Sequence, residues 1–155
     1  MVNTKTQSKV FISHGNDEEA ITTVAKFVEN LGLRATVLDV QTTNGLTAIE
    51  NLEKYSDDTE FAIALLTPDD VGAFKDEAGR QLKPRAHQNV IFELGYFIGK
   101  LDPNRVCLLY KEGIELPSYI PKLVYVPMDS ANDWKFKLGQ EMRNAGLPID
   151  MNKIL

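Results

Sequence analysis

Val10, Phe11 and Ile12 form a short apolar run behind a polar start, and the run predicts a β-strand. Beyond Ser13-His14-Gly15, apolar residues recur at Ile21, Val24, Ala25, Val28 and Leu31, the spacing of a helix that buries one face. Asn16 with Glu19 three residues on has the form of a capping box, and Gly32 marks the helix end. The alternation then repeats. Residues 35–38 read as a second strand, followed by a loop through Asn44-Gly45 and a short helix carrying Ile49, Leu52 and Tyr55. Residues 61–66 are apolar throughout, which predicts a strand covered on both faces. A polar stretch, 67–85, leads into a helix over about 87–101. A fourth strand at 106–110, a weaker one at 123–126 and a helix around 134–145 complete the pattern. Strands alternating with helices predict an α/β fold, a doubly wound parallel five-stranded sheet of flavodoxin-like order.

A chain of 155 residues, 43% hydrophobic and 25% charged, suits one domain with one core. Residues 1–8 read as a polar lead-in or linker and 9–155 as the domain. The formal net charge of −5 disfavours nucleic acid and anionic membrane as partners, because either rewards clustered Lys and Arg. A small molecule or another protein fits better. Cys107 is the only cysteine, so neither an intrachain disulfide nor a CxxC pair can form, and a reducing compartment is expected. No apolar run has the length of a membrane span and the start lacks a signal core, which makes the cytoplasm the expected location.

In doubly wound sheets ligands bind beyond the carboxyl ends of the strands, where the helices change faces. That rule brings Ser13-His14-Gly15, Thr67-Pro68-Asp69-Asp70 and the start of the 87–101 helix together. Neither GxGxxG nor GxxxxGK[ST] occurs, so a phosphate has to rely on backbone N–H groups at Gly15 or on Arg85. In the helix, Val90, Leu94, Phe97, Ile98 and Leu101 share an apolar face, and Asn89 and Glu93 flank it. A carboxylate at that margin is placed to meet a ligand, whereas its plainer reading is a solvated helix residue. His14 and His87 lack ligand spacing and read as local hydrogen-bonding or capping groups, so no catalytic role and no metal is expected. Asp69 is a lesser binding candidate, since Thr-Pro-Asp-Asp is also ordinary turn chemistry. Cys107 reads as a buried small hydrophobe and Trp134 as an anchor for the last helix. The long connection 69–85, with Gly72 and Gly79, reads as a mobile lid over the substrate.

The segments FISH, LLTPDD and RAHQNVIFELG, in that order and at those places, resemble Toll/interleukin-1 receptor (TIR) domains. The likeness is to the bacterial TIR-like group described as predicted nucleotide-binding proteins, including those fused to STING-type sensors in antiphage systems. It runs from about Lys9 to the closing AGLPIDMNKIL. It implies an NAD glycohydrolase that needs no cofactor, takes NAD as substrate, serves antiviral defence and is switched on by self-association under a fused or associated sensor. The family's catalytic glutamate maps to Glu93, Phe11 and Ser13 map to the pocket floor, and the loop through Arg85 covers the substrate. A single carboxylate suits that reaction, giving nicotinamide and ADP-ribose or a cyclised form. Nicotinamide departs neutral, and the demand is to stabilise an oxocarbenium-like ribose. Asn89 then orients Glu93 or a ribose hydroxyl, and Arg85 pairs with the pyrophosphate. On the same helix Phe92, Gly95 and Gly99 form a small outward strip suited to self-contact. Two other readings stand beside this one. Nucleoside deoxyribosyltransferases resemble the chain in a FELGY-type helix glutamate, and many TIR domains only assemble signalling complexes. A two-component receiver is disfavoured, because Tyr125-Val126-Pro127-Met128 lacks its lysine.

Overall fold

The computed structural model describes residues 7–38, 45–77, 81–118, 120 and 122–154. Its elements, in chain order, are β1 (Lys9–His14), α1 (Glu18–Asn30), β2 (Arg34–Val37), α2 (Ala48–Tyr55), β3 (Thr59–Leu66), β4 (Asp70–Gly72), β5 (Lys83–Arg85), α3 (Gln88–Leu101), β6 (Val106–Tyr110), β7 (Val124–Pro127) and α4 (Asp133–Asn144). Five strands pair in parallel in the order β2-β1-β3-β6-β7, the flavodoxin-like order expected from the alternating pattern. Parallel strands need crossovers, and the four α-helices supply cover for both faces.

The pleat sorts each strand between two cores. Val10 and Ile12 of β1 pack with Val24 and Phe27 of α1 and with Trp134 and Leu138 of α4. Phe11, between them, faces the opposite way, towards Leu52 of α2 and Leu94 and Phe97 of α3. Its ring meets Phe97 at a centroid distance of 4.7 Å. β3 is buried along 61–66 because both cores claim it, so no polar alternation shows in its sequence. Trp134 is the expected anchor of α4, buried edge-on against Phe27 at 5.2 Å.

Three details differ from the sequence reading. Asp17, not Asn16, caps α1: its carboxylate accepts from the Ala20 N–H at 3.0 Å and also holds Lys111 at 2.7 Å, a second contact that local spacing cannot reveal. Ile49 is exposed on α2, whose buried side is Asn51 and Leu52, while Thr47 and Glu50 form a true capping box at its start. The stretch 69–85 is not featureless, since β4 and β5 pair as an antiparallel ribbon with Asp70 opposite Arg85 and Gly72 opposite Lys83. Three-residue strands containing Gly72 and Pro84 carry too little alternation to be seen in sequence. Most of the expected lead-in (1–6), Asn44, Gly79 and Leu155 lie outside the described residues. Among the described residues no helix is long and apolar enough to cross a membrane.

Candidate active site

At the carboxyl end of β1 the side chain of Ser13 faces the α3 side of the sheet, two residues beyond Phe11. It pairs in register with Ala64, whose small side chain leaves room above the strand. Val90, Leu94 and Phe97 press α3 onto that face, and the same rotation brings Glu93, in the second turn, over Ser13. The Ser13 hydroxyl donates to Glu93 Oε2. Ser13 is itself buried, with 1% of its surface exposed, so its hydroxyl serves the carboxylate. This contact joins the two residues that the resemblance had assigned to one pocket.

Burial pushes the Glu93 carboxyl above the usual carboxylate range. The Ser13 hydrogen bond and the nearby charges of His14 and His87 act in the opposite sense without cancelling it. His87 also caps α3, its Nδ1 accepting from the Asn89 N–H at 3.1 Å, which bears out the capping reading. Asn89 is exposed one turn before Glu93. Cys107, in the middle of β6, is buried and its thiol is pushed up to about 12, as expected of an inert core residue.

The β1–α1 and β3–β4 turns interlock beside this pair. Thr67 donates its hydroxyl to Asp69 Oδ2 at 2.7 Å, and the Asp69 carboxylate lies against Gly15 so closely that any Cβ there would overlap it. A side chain at position 15 would therefore push the Asp69 carboxylate out of its place beside Thr67. His14 Nδ1 stands 2.8 Å from the Gly15 carbonyl oxygen. From the other side Lys111, just past β6, holds Asp17, and its hydrogen bond lowers the Asp17 carboxyl below the usual range. Ser13, Glu93, His14 and His87 thus gather at one end of the sheet, with Asp69 fixed over Gly15.

Phe11 supports this group from below and is buried in the core, 1% exposed. Arg85 lies on the ribbon, where its guanidinium crosses Gly72 and its Nη2 meets Glu115 Oε1 at 2.7 Å. The sequence places His14 and Gly15 at this end of the sheet, but the closeness of Asp69 to Gly15 joins two turns that have no signature in sequence. Among the described residues no three of His, Cys, Asp and Glu gather as a metal site requires. A surface groove of about 310 Å³, lined by Phe27, Lys26, Lys135 and Lys153 among others, lies on the α1/α4 side and contains no residue of the site.

Comparison with known proteins brings a family model described as "CAP12/Pycsar effector protein, TIR domain", which matches residues 9–130. The chain is 42% identical over 147 residues to the Escherichia coli (strain K12) protein named "Uncharacterized protein YuaY", covering 95% of this chain and 48% of that one. It is 33% identical over 135 residues to "Protein tirC" of Dictyostelium discoideum, covering 82% of this chain and 66% of the relative. A "Pycsar effector protein PaPycTIR" of Pseudomonas aeruginosa is 40% identical over 81 residues, which are 51% of this chain and 25% of the relative. The chain thus spans from a quarter to two thirds of these relatives.

Proposed function

The chain belongs to the TIR-domain family of CAP12/Pycsar effector proteins, and on that premise we propose that it cleaves the nicotinamide glycosidic bond of NAD, with Glu93 as the catalytic carboxylate. The observation that carries the reading is the Ser13–Glu93 contact: a carboxylate set into the apolar margin of α3, at the carboxyl end of the sheet, and steadied by a buried hydroxyl. Bond cleavage leaves positive charge on the ribose at C1′ while the pair of bonding electrons departs with nicotinamide. The ionised Glu93 stabilises that charge in a setting where little water screens it. No general acid is needed, since the leaving group departs uncharged. The defining experiment incubates the protein with NAD and separates products by chromatography; failure to release nicotinamide at high protein concentration overturns the reading.

Ser13 is the positioning residue in this scheme. Its hydrogen bond favours the charged form of Glu93, so Ser13→Ala raises the Glu93 pKa further. The reactive form is the carboxylate. The acid limb of the kcat–pH profile should therefore move to higher pH, with kcat reduced about tenfold at neutral pH for one lost hydrogen bond. An acid limb in the wild-type position would return Ser13 to a purely structural role.

Arg85 supplies the counter-charge for the pyrophosphate. It first has to leave Glu115, but both side chains are about one third exposed, 35% and 30%, and a pair so placed contributes only about 0–1 kcal/mol. Exchange for a bidentate phosphate contact is favourable on that scale. Arg85→Ala is expected to raise KM for NAD several-fold with a smaller change in kcat, measured from initial rates. An unchanged KM would leave Arg85 as the ribbon's partner for Glu115 alone. The proposed setting is antiviral defence in the cytoplasm, under a sensor that gathers several copies of the domain.

A further inference from the structure

Glu115 holds two cations at once. Its Oε1 lies 2.7 Å from Arg85 Nη2, and its Oε2 lies 3.6 Å from Lys83 Nζ. Lys83 and Arg85 stand two apart on β5, so their side chains leave the same face of the ribbon, about 7 Å apart along the strand, with Pro84 turned the other way. The backbone fixes the third member. The Glu115 N–H donates to the Pro84 oxygen at 2.8 Å, and Glu115 bridges Arg85 in parallel, which sets its side chain beside theirs.

Two cations on one carboxylate leave one positive charge over, on a chain whose formal net charge is −5. The side chains of Lys83, Arg85 and Glu115 are 65%, 35% and 30% exposed, so an anion arriving from solvent can reach all three. The ribbon is rooted in the candidate site at both ends. β4 follows Asp69, whose carboxylate lies against Gly15, and β5 runs through buried Ala86 into His87, whose charge bears on Glu93. In NAD a single ribose separates the cleaved bond from the diphosphate, so a ligand with its ribose at Glu93 has its diphosphate within a sugar's length of that group. A diphosphate brings two adjacent anionic groups, which suits a guanidinium fork beside an ammonium point charge.

We propose that Lys83 and Arg85 form one diphosphate clamp whose place is held in the free protein by the Glu115 carboxylate. Lys83 is then a second phosphate-binding residue, and Glu115 is an internal competitor of the substrate. The inference rests on the NAD reading. Binding exchanges two exposed ion pairs, each of small worth, for charge-assisted contacts to a more highly charged anion. The apparent affinity is the intrinsic one reduced by the fraction of molecules in which Glu115 has left the clamp.

Two substitutions move the Michaelis constant in opposite directions. In initial rates of NAD consumption, Lys83→Gln is expected to raise KM about fivefold with a smaller change in kcat. Glu115→Gln is expected to lower KM about threefold, the scale of exposed ion pairs. Glutamine keeps the backbone bond to Pro84, so the segment stays beside the ribbon. A Glu115 that only braces the ribbon would loosen Arg85 on removal and raise KM instead. A KM for Glu115→Gln at or above the wild-type value, or an unchanged KM in Lys83→Gln, overturns the clamp while leaving NAD cleavage intact. Wild-type protein provides a second readout that needs no variant to fold. At matched ionic strength inorganic pyrophosphate should compete with NAD at lower concentration than orthophosphate does. Equal inhibition by the two anions, or none by either, overturns the clamp as well. Wild-type protein that consumes no NAD at high protein concentration overturns the NAD reading, and with it this one.

Discussion

Glu93→Gln is expected to lower kcat for NAD by at least about 100-fold while making the folded protein more resistant to heat near pH 7. The first effect follows from removing the only charge proposed to face the developing cation, for which a single preorganised group is commonly worth on the order of 10²–10³ in rate. The amide keeps nearly the same volume and an oxygen able to accept the Ser13 hydrogen bond, so the loss reports charge. The second effect is a linkage argument. Burial holds the Glu93 carboxyl above its ordinary value of 4.5, so the folded state binds this proton more tightly than the unfolded chain does. Stability therefore falls as pH rises through the window between the two values, and above it the wild type carries a buried charge that the Gln variant lacks. The thermal advantage of the variant should grow as pH rises above 4.5 and shrink as pH drops back towards it. Scanning calorimetry across that range, with nicotinamide release measured on the same samples, checks both halves. A folded variant that turns over NAD at the wild-type rate removes Glu93 from catalysis, and equal midpoints at pH 7 remove burial as the cause of its raised pKa.

This opposition of activity and stability also explains why the helix could be read from sequence and its site only in part. Val90, Leu94 and Phe97 repeat at helical spacing because they must all meet one sheet face, and that regularity is visible in a string of letters. The placement of Glu93 at the margin of the stripe is visible for the same reason. The Ser13 contact spans 80 residues and depends on the depth at which α3 settles on Ala64 and Phe11, a packing outcome with no local signature. Asp17 was hidden similarly. Asn16 is an equally good cap by composition, and the choice was made by Lys111 at the far side of β6. The β4–β5 ribbon shows a third kind of blindness, because its pairing is short and is continued by a bridge between Arg85 and Glu115, thirty residues apart. His14 reads from sequence as a local hydrogen-bonding residue, and its Nδ1 does meet the Gly15 oxygen, but an unsatisfied nitrogen becomes visible only once its surroundings are closed.

The wild-type domain is expected to gain specific activity with protein concentration, and Phe92→Asp is expected to abolish that gain. Phe92 is 57% exposed, so the ribbon does not cover it, and the open space around Gly95 and Gly99 leaves a strip of α3 where another backbone can come close. Val71, Phe74 and Leu82, in and beside the ribbon, are exposed at 63%, 72% and 58%. Large apolar side chains left open in this number mark a contact surface more often than a solvated one. Phe92 adjoins Glu93 in the chain, and Arg85 leads directly into the helix, so a partner seated on the strip bears on the proposed catalytic and phosphate-binding groups together. The proposed assembly then acts by population: contact favours the arrangement in which Arg85 has left Glu115 and faces the substrate, and activity per molecule rises as that arrangement fills. A carboxylate at position 92 removes apolar area and adds a charge that a second copy would have to desolvate, without touching the buried side of α3. Rates per molecule measured over a thousandfold range of protein concentration should climb by about tenfold or more for wild type and stay flat for Phe92→Asp, at the wild-type dilute value. Sedimentation on the same samples should place the rise where the wild type self-associates. A flat wild-type profile, or a folded Phe92→Asp protein that climbs with it, would show that each copy of the domain works alone.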